Sequence, residues 1–156
     1  MDPIEEAYRT HHERLWRSLL AYTGDAEMAT DAAAETFSQA LGRGDDLVDP
    51  AAWIWRTAFR VAGGLLADRS RRWRDLDVVD LDVEPAHTDP AADPELVEFL
   101  DQLSTLSEQQ RAVVVLRYGG GFTPTEIAGL LDTTANSVRV QLHRSHAHLR
   151  ERIDRQ

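Results

Sequence analysis

The stretch TPTEIAGLLDTTANSVRVQLHRSHAHLRER, residues 123–152, decides the fold. Thr123 and Glu126 are spaced as a capping box, with Pro124 at the first helical position, where its missing N–H costs nothing. The helix they open ends near Leu131. The turn Asp132-Thr133-Thr134 follows, and Thr134 is placed to cap a second helix from Ala135 to about Arg152. Two short helices across such a turn make a helix-turn-helix. Ile127, Leu130 and Leu131 on the first are spaced to meet Val138 and Leu142 on the second. Asn136, Ser137, Arg139, Val140, His143 and Arg144 are then left facing outward. Arginine suits guanine edges and phosphates because its planar fork donates two parallel hydrogen bonds. Thr134, Ser137 and the helix N-terminus suit neutral phosphate contacts. The expectation is DNA binding.

Upstream of this motif, Ser107 and Gln110 form another capping box and open a helix to Tyr118, broken by Gly119-Gly120-Gly121-Phe122. Residues 94–104 make a short helix before it. From Asp75 to Asp101 the chain carries ten acids and neither Arg nor Lys. The other 17 acids are balanced by 17 arginines, so the net charge of −10 belongs to this one segment. Residues 75–94, rich in aspartate and proline, read as an acidic linker kept extended by like-charge repulsion. It separates a domain over 1–74 from one over 95–156.

The first half is also helical. Ile4, Tyr8, Leu15, Leu19 and Tyr22 give helical spacing over 3–22, Gly24 ends that helix, and Asp25 can cap the next. Ala29, Ala33, Thr36, Phe37, Ala40 and Leu41 carry the period to about residue 41. Residues 42–50 form a loop. A long helix then runs from about Ala51 to Trp73, with Trp53, Ile54, Ala58, Val61 and Leu65 on one stripe. Gly63-Gly64 inside it is unfavourable, since each glycine costs up to about 1 kcal/mol relative to alanine. No strand-like alternation occurs, so the predicted fold is all-α with two small helical domains.

Several functional classes drop out. There is no cysteine, which removes disulfides and thiolate chemistry. No run of about 18 apolar residues could span a membrane. The opening MDPIEEAYRT is acidic and is not read as a secretory signal, which makes a cytoplasmic protein the expectation. No nucleophile–base pair or glycine-rich phosphate loop is visible, so no enzyme is expected. His143 and His146 lie one turn apart and His11-His12-Glu13 form a second group. No carboxylate stands at ligand spacing on the 143–148 helix, so neither a metal nor a cofactor is expected.

The residues resemble a known family. Residues 103–153, from LSTLSEQQRAVVVLRY through the recognition helix, look like region 4 of sigma factors. DAAAETFSQAL (31–41) resembles the region 2 motif that docks on core RNA polymerase. WIWRTAFRVAGGLLADRSRR (53–72) resembles the tryptophan-led helix that engages the −10 element. With regions 2 and 4 alone joined by a linker, the chain is similar to Group IV, extracytoplasmic-function (ECF) sigma factors. The resemblance implies polymerase contacts by Asp31, Glu35, Thr36 and Phe37, through the β and β′ subunits. It implies −10 contacts by Trp53, Arg56, Arg60, Arg69, Arg71 and Arg72, with the 42–50 loop taking an unstacked base. It implies −35 contacts by Thr134, Asn136, Ser137, Arg139, Val140, His143 and Arg144. Promoter DNA, core polymerase and an anti-sigma factor are the implied partners, and the acidic linker would thread a polymerase channel.

The chain departs from the pattern in three places. Ala32, Ala33 and Ala34 stand where bulkier or amide residues are usual. An asparagine near Arg60 and an aspartate near Gly64 are missing. Gln141 and His146 replace residues that are commonly basic. Trp53 and Trp55 are both candidate stacking platforms, with at least one of them expected in the core. A dimeric helix-turn-helix repressor and a sigma-like regulator unable to melt DNA stay open as alternatives.

Overall fold

A computed structural model describes residues 2–75 and 93–155, and every regular element in them is helical. The chain divides into two compact units, Met1–Pro90 and Ala91–Gln156. Most of the acidic segment read as a linker, residues 76–92, lies outside the described residues.

The first unit packs three helices pairwise: α1 (Pro3–Thr23), α2 (Ala26–Arg43) and α3 (Pro50–Asp75), with a 3₁₀ turn over Gly44–Asp46. Local chemistry sets their ends. The Asp2 carboxylate accepts from the Ile4 amide, and Gly24 at φ 70° donates its N–H to the Leu20 carbonyl. Asp25 accepts from the Glu27 and Met28 amides at 2.9 and 3.1 Å and so caps α2. Leu15, Leu19, Ile54, Trp55, Ala58 and Ala62 form the centre of the core, and Ala29, Ala32 and Ala40 let α2 approach it closely.

The buried stripes are rotated from those the spacing predicts. On α3 the core face is Ile54, Trp55, Ala58, Phe59, Ala62 and Leu66, while Trp53, Val61 and Leu65 are only half-buried. On α2 Ala32 is inside, Ala33 and Phe37 are half-buried, and Leu41 is exposed. On α1 Ala7 is buried and Tyr8 is about half exposed. Trp55 rather than Trp53 is therefore the core tryptophan. α3 runs without a break through Gly63-Gly64, because packing of its apolar face outweighs the weak local propensity.

The second unit holds α4 (Pro94–Ser104), α5 (Glu108–Tyr118), α6 (Pro124–Leu131) and α7 (Ala135–Asp154). Both expected capping boxes form reciprocally, Ser107 with Gln110 and Thr123 with Glu126. Between α5 and α6 the chain doubles back so tightly that a side chain on Gly120 would sit 2.6 Å from the Phe122 ring and 2.9 Å from the Leu116 carbonyl oxygen. The turn between α6 and α7 places Asp132 in the left-handed region at φ 56°, which a short polar side chain tolerates. Ile127, Leu130, Val138 and Leu142 are buried where α6 packs on α7, and Leu116 fills the space beneath from α5.

Candidate functional site

On α7 the buried positions are Val138, Leu142 and Ser145. That fixes the opposite face. Asn136, Arg139, Val140, His143 and Arg144 are all exposed on it, three or four residues apart, which is one helical face. Neither Arg139 nor Arg144 forms an ion pair among the described residues. Both guanidinium groups are free to meet an external anion or base edge. Thr134 uses its hydroxyl oxygen to accept the Ser137 amide at 3.1 Å, so it serves first as the cap that starts the helix. Ser137 is half-buried.

The other histidines of α7 are tied inside the unit. The His146 ring shares a 2.7 Å hydrogen bond with the Tyr118 hydroxyl on α5. Thr105 donates its hydroxyl to the Gln102 carbonyl at 2.7 Å, leaving its oxygen to accept from His148 Nε2 at 3.0 Å. Arg152 likewise donates to the Gln102 side chain at 3.0 Å. Three of the seven basic or imidazole side chains on α7 therefore fasten α4 and α5.

On α3, Trp53, Arg56 and Arg60 recur at helical spacing, with both arginines exposed. The Arg43 guanidinium lies 5.5 Å from the centre of the half-buried Trp53 ring. Arg72 is exposed, and Arg71 is exposed but paired with Asp68 at 2.6 Å. Arg69 departs from the expected surface role. It is half-buried, 3.6 Å from the Asp25 carboxylate and 5.4 Å from the centre of the Trp73 ring, so its charge braces the α2 cap. The expected 42–50 loop is shorter, since α2 runs to Arg43 and α3 starts at Pro50, and the connection between them presents Asp45, Asp46 and a fully exposed Val48.

On α2, Asp31 and Glu35 are exposed. Thr36 corrects the expectation of a surface contact. It is fully buried and donates its hydroxyl to the Ala32 carbonyl at 2.7 Å, one turn back. Phe37 is half-buried, edge-on to Tyr8 at 5.0 Å. Beside it Tyr8, His12 and Trp16 of α1 line an open cleft that the sequence reading missed. Their spacing of four residues was the available signal. Arg43, missed as well, carried no comparable mark.

Three comparisons with known proteins agree with this geometry. The model of the family described as sigma-70, region 4, matches residues 96–149. The ECF RNA polymerase sigma factor SigL of Mycobacterium tuberculosis is 30% identical over 146 residues, covering 87% of this chain and 80% of that one. This chain belongs to the ECF sigma factors. It is an alternative sigma factor that directs transcription initiation, a non-enzymatic class of transcription regulator. The RNA polymerase sigma-E factor of Streptomyces coelicolor is 27% identical over 158 residues, covering 96% and 85% of the two chains. The fold matches the sigma factor RpoE of Bartonella quintana, solved with the anti-sigma factor NepR, at a TM-score of 0.80 and 18% identity over 96% of both chains. It also matches CnrH, solved with the cytosolic domain of CnrY, at 0.72 and 21% identity, covering 97% and 87%. Among the described residues of this sigma factor no helix is long and apolar enough to cross a membrane.

One titratable group of this ECF factor is displaced. His11 is half-buried in a recess of about 270 Å³ between α1 and the start of α3, lined also by Glu6, Thr10 and Asp49. Burial holds its pKa below the ordinary 6.5, the Arg14 guanidinium lowers it further, and Asp49 pulls partly the other way. The folded state thus favours the neutral ring. Its contribution to stability is complete above the unfolded value and is lost as pH falls through the lower folded value. His11→Gln is expected to flatten the pH dependence of urea unfolding of the first unit as pH falls below the ordinary histidine value of 6.5. Identical pH dependences for variant and parent would show that the ring carries no such linkage.

Proposed function

We propose that this sigma factor reads the −35 element with the outward face of α7 and engages the −10 element with the exposed arginines of α3. Arg139 and Arg144, with Asn136, Val140 and His143, enter the major groove, while the N-terminus of α7 with Thr134 and Ser137 meets phosphate. Trp53, Arg56, Arg60, Arg71 and Arg72 face the −10 strand, and an unstacked base lodges against the 42–50 loop. Asp31, Glu35 and Phe37 dock on the β′ side of core polymerase, with region 4 resting on β. The single observation that supports this most is the α7 face, where two arginines without ion-pair partners stand at helical spacing opposite a buried seam.

The remaining parts follow from the same reading. The acidic linker threads the polymerase channel as a phosphate mimic. RpoE is solved with the anti-sigma factor NepR, and CnrH with the cytosolic domain of CnrY, which supports an anti-sigma partner here. The protein works in the cytoplasm beside polymerase, with no catalytic residue and no cofactor. Transcription in vitro with core polymerase on a promoter library tests the reading. Productive, sequence-selective initiation is expected. DNA binding without core would point to a repressor, and holoenzyme that binds promoters yet leaves them closed would point to a regulator unable to melt DNA.

A further inference from the structure

Past Leu66 the last turns of α3 leave the three-helix core. From Ala67 to Asp75 every residue is exposed except Arg69, which is half-buried. This end spans roughly 13 Å of helix and carries Arg71, Arg72 and Arg74. The Arg71–Asp68 pair at 2.6 Å is internal to it. Gly63-Gly64, of weak helical propensity, stand just before it. A basic segment that projects in this way keeps its direction only if something fastens it.

Arg69 supplies the fastening. Its side chain reaches to Asp25 at the start of α2, with Nη1 3.6 Å from Oδ2. Asp25 is a fixed anchor, because its Oδ1 accepts from the Glu27 and Met28 amides and its own amide donates to Thr23 Oγ1 at 3.2 Å. Oδ2 is left for the cation. The same guanidinium lies 5.4 Å from the centre of the Trp73 ring, one turn further along α3. One side chain thus joins the α2 cap to the final turn of α3. Its Nη1 is buried and makes no hydrogen bond among the described residues. A nitrogen enclosed like this cannot meet a phosphate without leaving its place, where the carboxylate and the ring face compensate its charge. Arg72 and Arg74 differ, being exposed and without an ion-pair partner among the described residues.

We propose that Arg69 is a positioning residue: held by Asp25, it orients the exposed arginines at the end of α3 toward −10 DNA and does not itself touch the DNA. The inference rests on the proposed engagement of the −10 element by α3, and it removes Arg69 from the contacts that the family resemblance implies. Asp25, a carboxylate remote from any DNA contact, then supports promoter binding.

The test compares holoenzymes built on full-length variants, binding a labelled promoter fragment recovered from the library, over a salt series. Asp25→Asn keeps the cap, since an asparagine oxygen accepts the same two amides, and removes only the charge that holds Arg69. Coulomb attraction alone would make the loss of a negative charge strengthen DNA binding. Positioning predicts the opposite: binding about fivefold weaker, with the salt slope flattened by about two units as Arg71 and Arg72 lose their direction. Arg69→Gln should weaken binding to a similar extent, and Arg69→Lys should recover most of it. Asp25→Asn combined with Arg69→Gln should be no weaker than Arg69→Gln alone, because both act through one contact. In the free chain, amide exchange at residues 67–75 should quicken in Asp25→Asn while the urea midpoint stays near the parent. Unchanged or tighter DNA binding by Asp25→Asn overturns the proposal, as does amide exchange that is unchanged at 67–75 or quickens throughout the unit. A loss confined to Arg69→Gln, with the slope lower by about one unit, also overturns it and makes Arg69 a phosphate contact. Arg71→Ala with Arg72→Ala separates the failures. If that pair weakens binding while Asp25→Asn does not, the −10 reading stands and the positioning role falls. If that pair too leaves binding unchanged, the assignment of this end of α3 to DNA is wrong as well.

Discussion

Trp55→Ala is expected to lower the stability of the first unit by about 3–5 kcal/mol, whereas Trp53→Ala, two residues earlier, should leave the melt nearly unchanged. The two indoles have the same chemistry and opposite surroundings. Trp55 is 2% exposed, lies near-parallel to Phe59 at 6.3 Å, and sits among Leu15, Leu19 and Ile54 at the centre of the three-helix core. Removing it leaves a cavity that rigid helices on three sides cannot close. Trp53 is half-buried at the surface, and its one notable partner is the Arg43 guanidinium at 5.5 Å, an exposed contact worth about 0.5–1 kcal/mol. Its loss should appear in promoter opening instead. Permanganate reactivity of the −10 region in a holoenzyme complex would fall with Trp53→Ala, while urea unfolding would not shift. A stability loss for Trp53→Ala as large as that for Trp55→Ala would assign both rings to packing and remove Trp53 from the DNA surface.

This pair also shows what the sequence could and could not reveal. Periodicity reports spacing, and spacing placed both tryptophans on one helix. Phase is set by what packs across, and α2 hides it, because a run of alanines looks equally apolar on every side. Ala32 faces the core and Ala33 the cleft, though nothing in composition separates them. Thr36 was misread for a related reason: its hydroxyl satisfies itself on the Ala32 carbonyl, so a polar residue could be buried without a distant partner. The helix ends were legible because caps are local. Ser107 with Gln110 and Thr123 with Glu126 depend only on residues three apart, and both boxes form as expected. The histidines of α7 were not, since their partners lie far along the chain, Tyr118 for His146 and Thr105 for His148. The cleft at Trp16 needed two helices in register, which no single segment encodes.

Arg139→Ala and Arg144→Ala should each cost about 1–3 kcal/mol in holoenzyme binding to promoter DNA if the side chain reads a base edge, with selectivity relaxed at one position of the −35 element. The size of the effect follows from how few cations remain for the task. Of the basic or imidazole groups on α7, His146, His148 and Arg152 are fastened to α4 and α5, which leaves His143 and, further along the helix, Arg150 exposed beside the two arginines. Binding over a salt series with single base-pair changes separates the two possible roles. A base reader loses discrimination at one position and keeps its salt slope, whereas a phosphate contact weakens every sequence alike and flattens the slope by about one unit. His146→Ala serves as the internal comparison, because its ring is held by Tyr118 and its removal should leave the salt slope unchanged. If both arginine variants lose affinity uniformly across sequences, α7 grips the backbone only, and −35 selectivity must come from Asn136, Val140 and His143 or from the shape of the DNA.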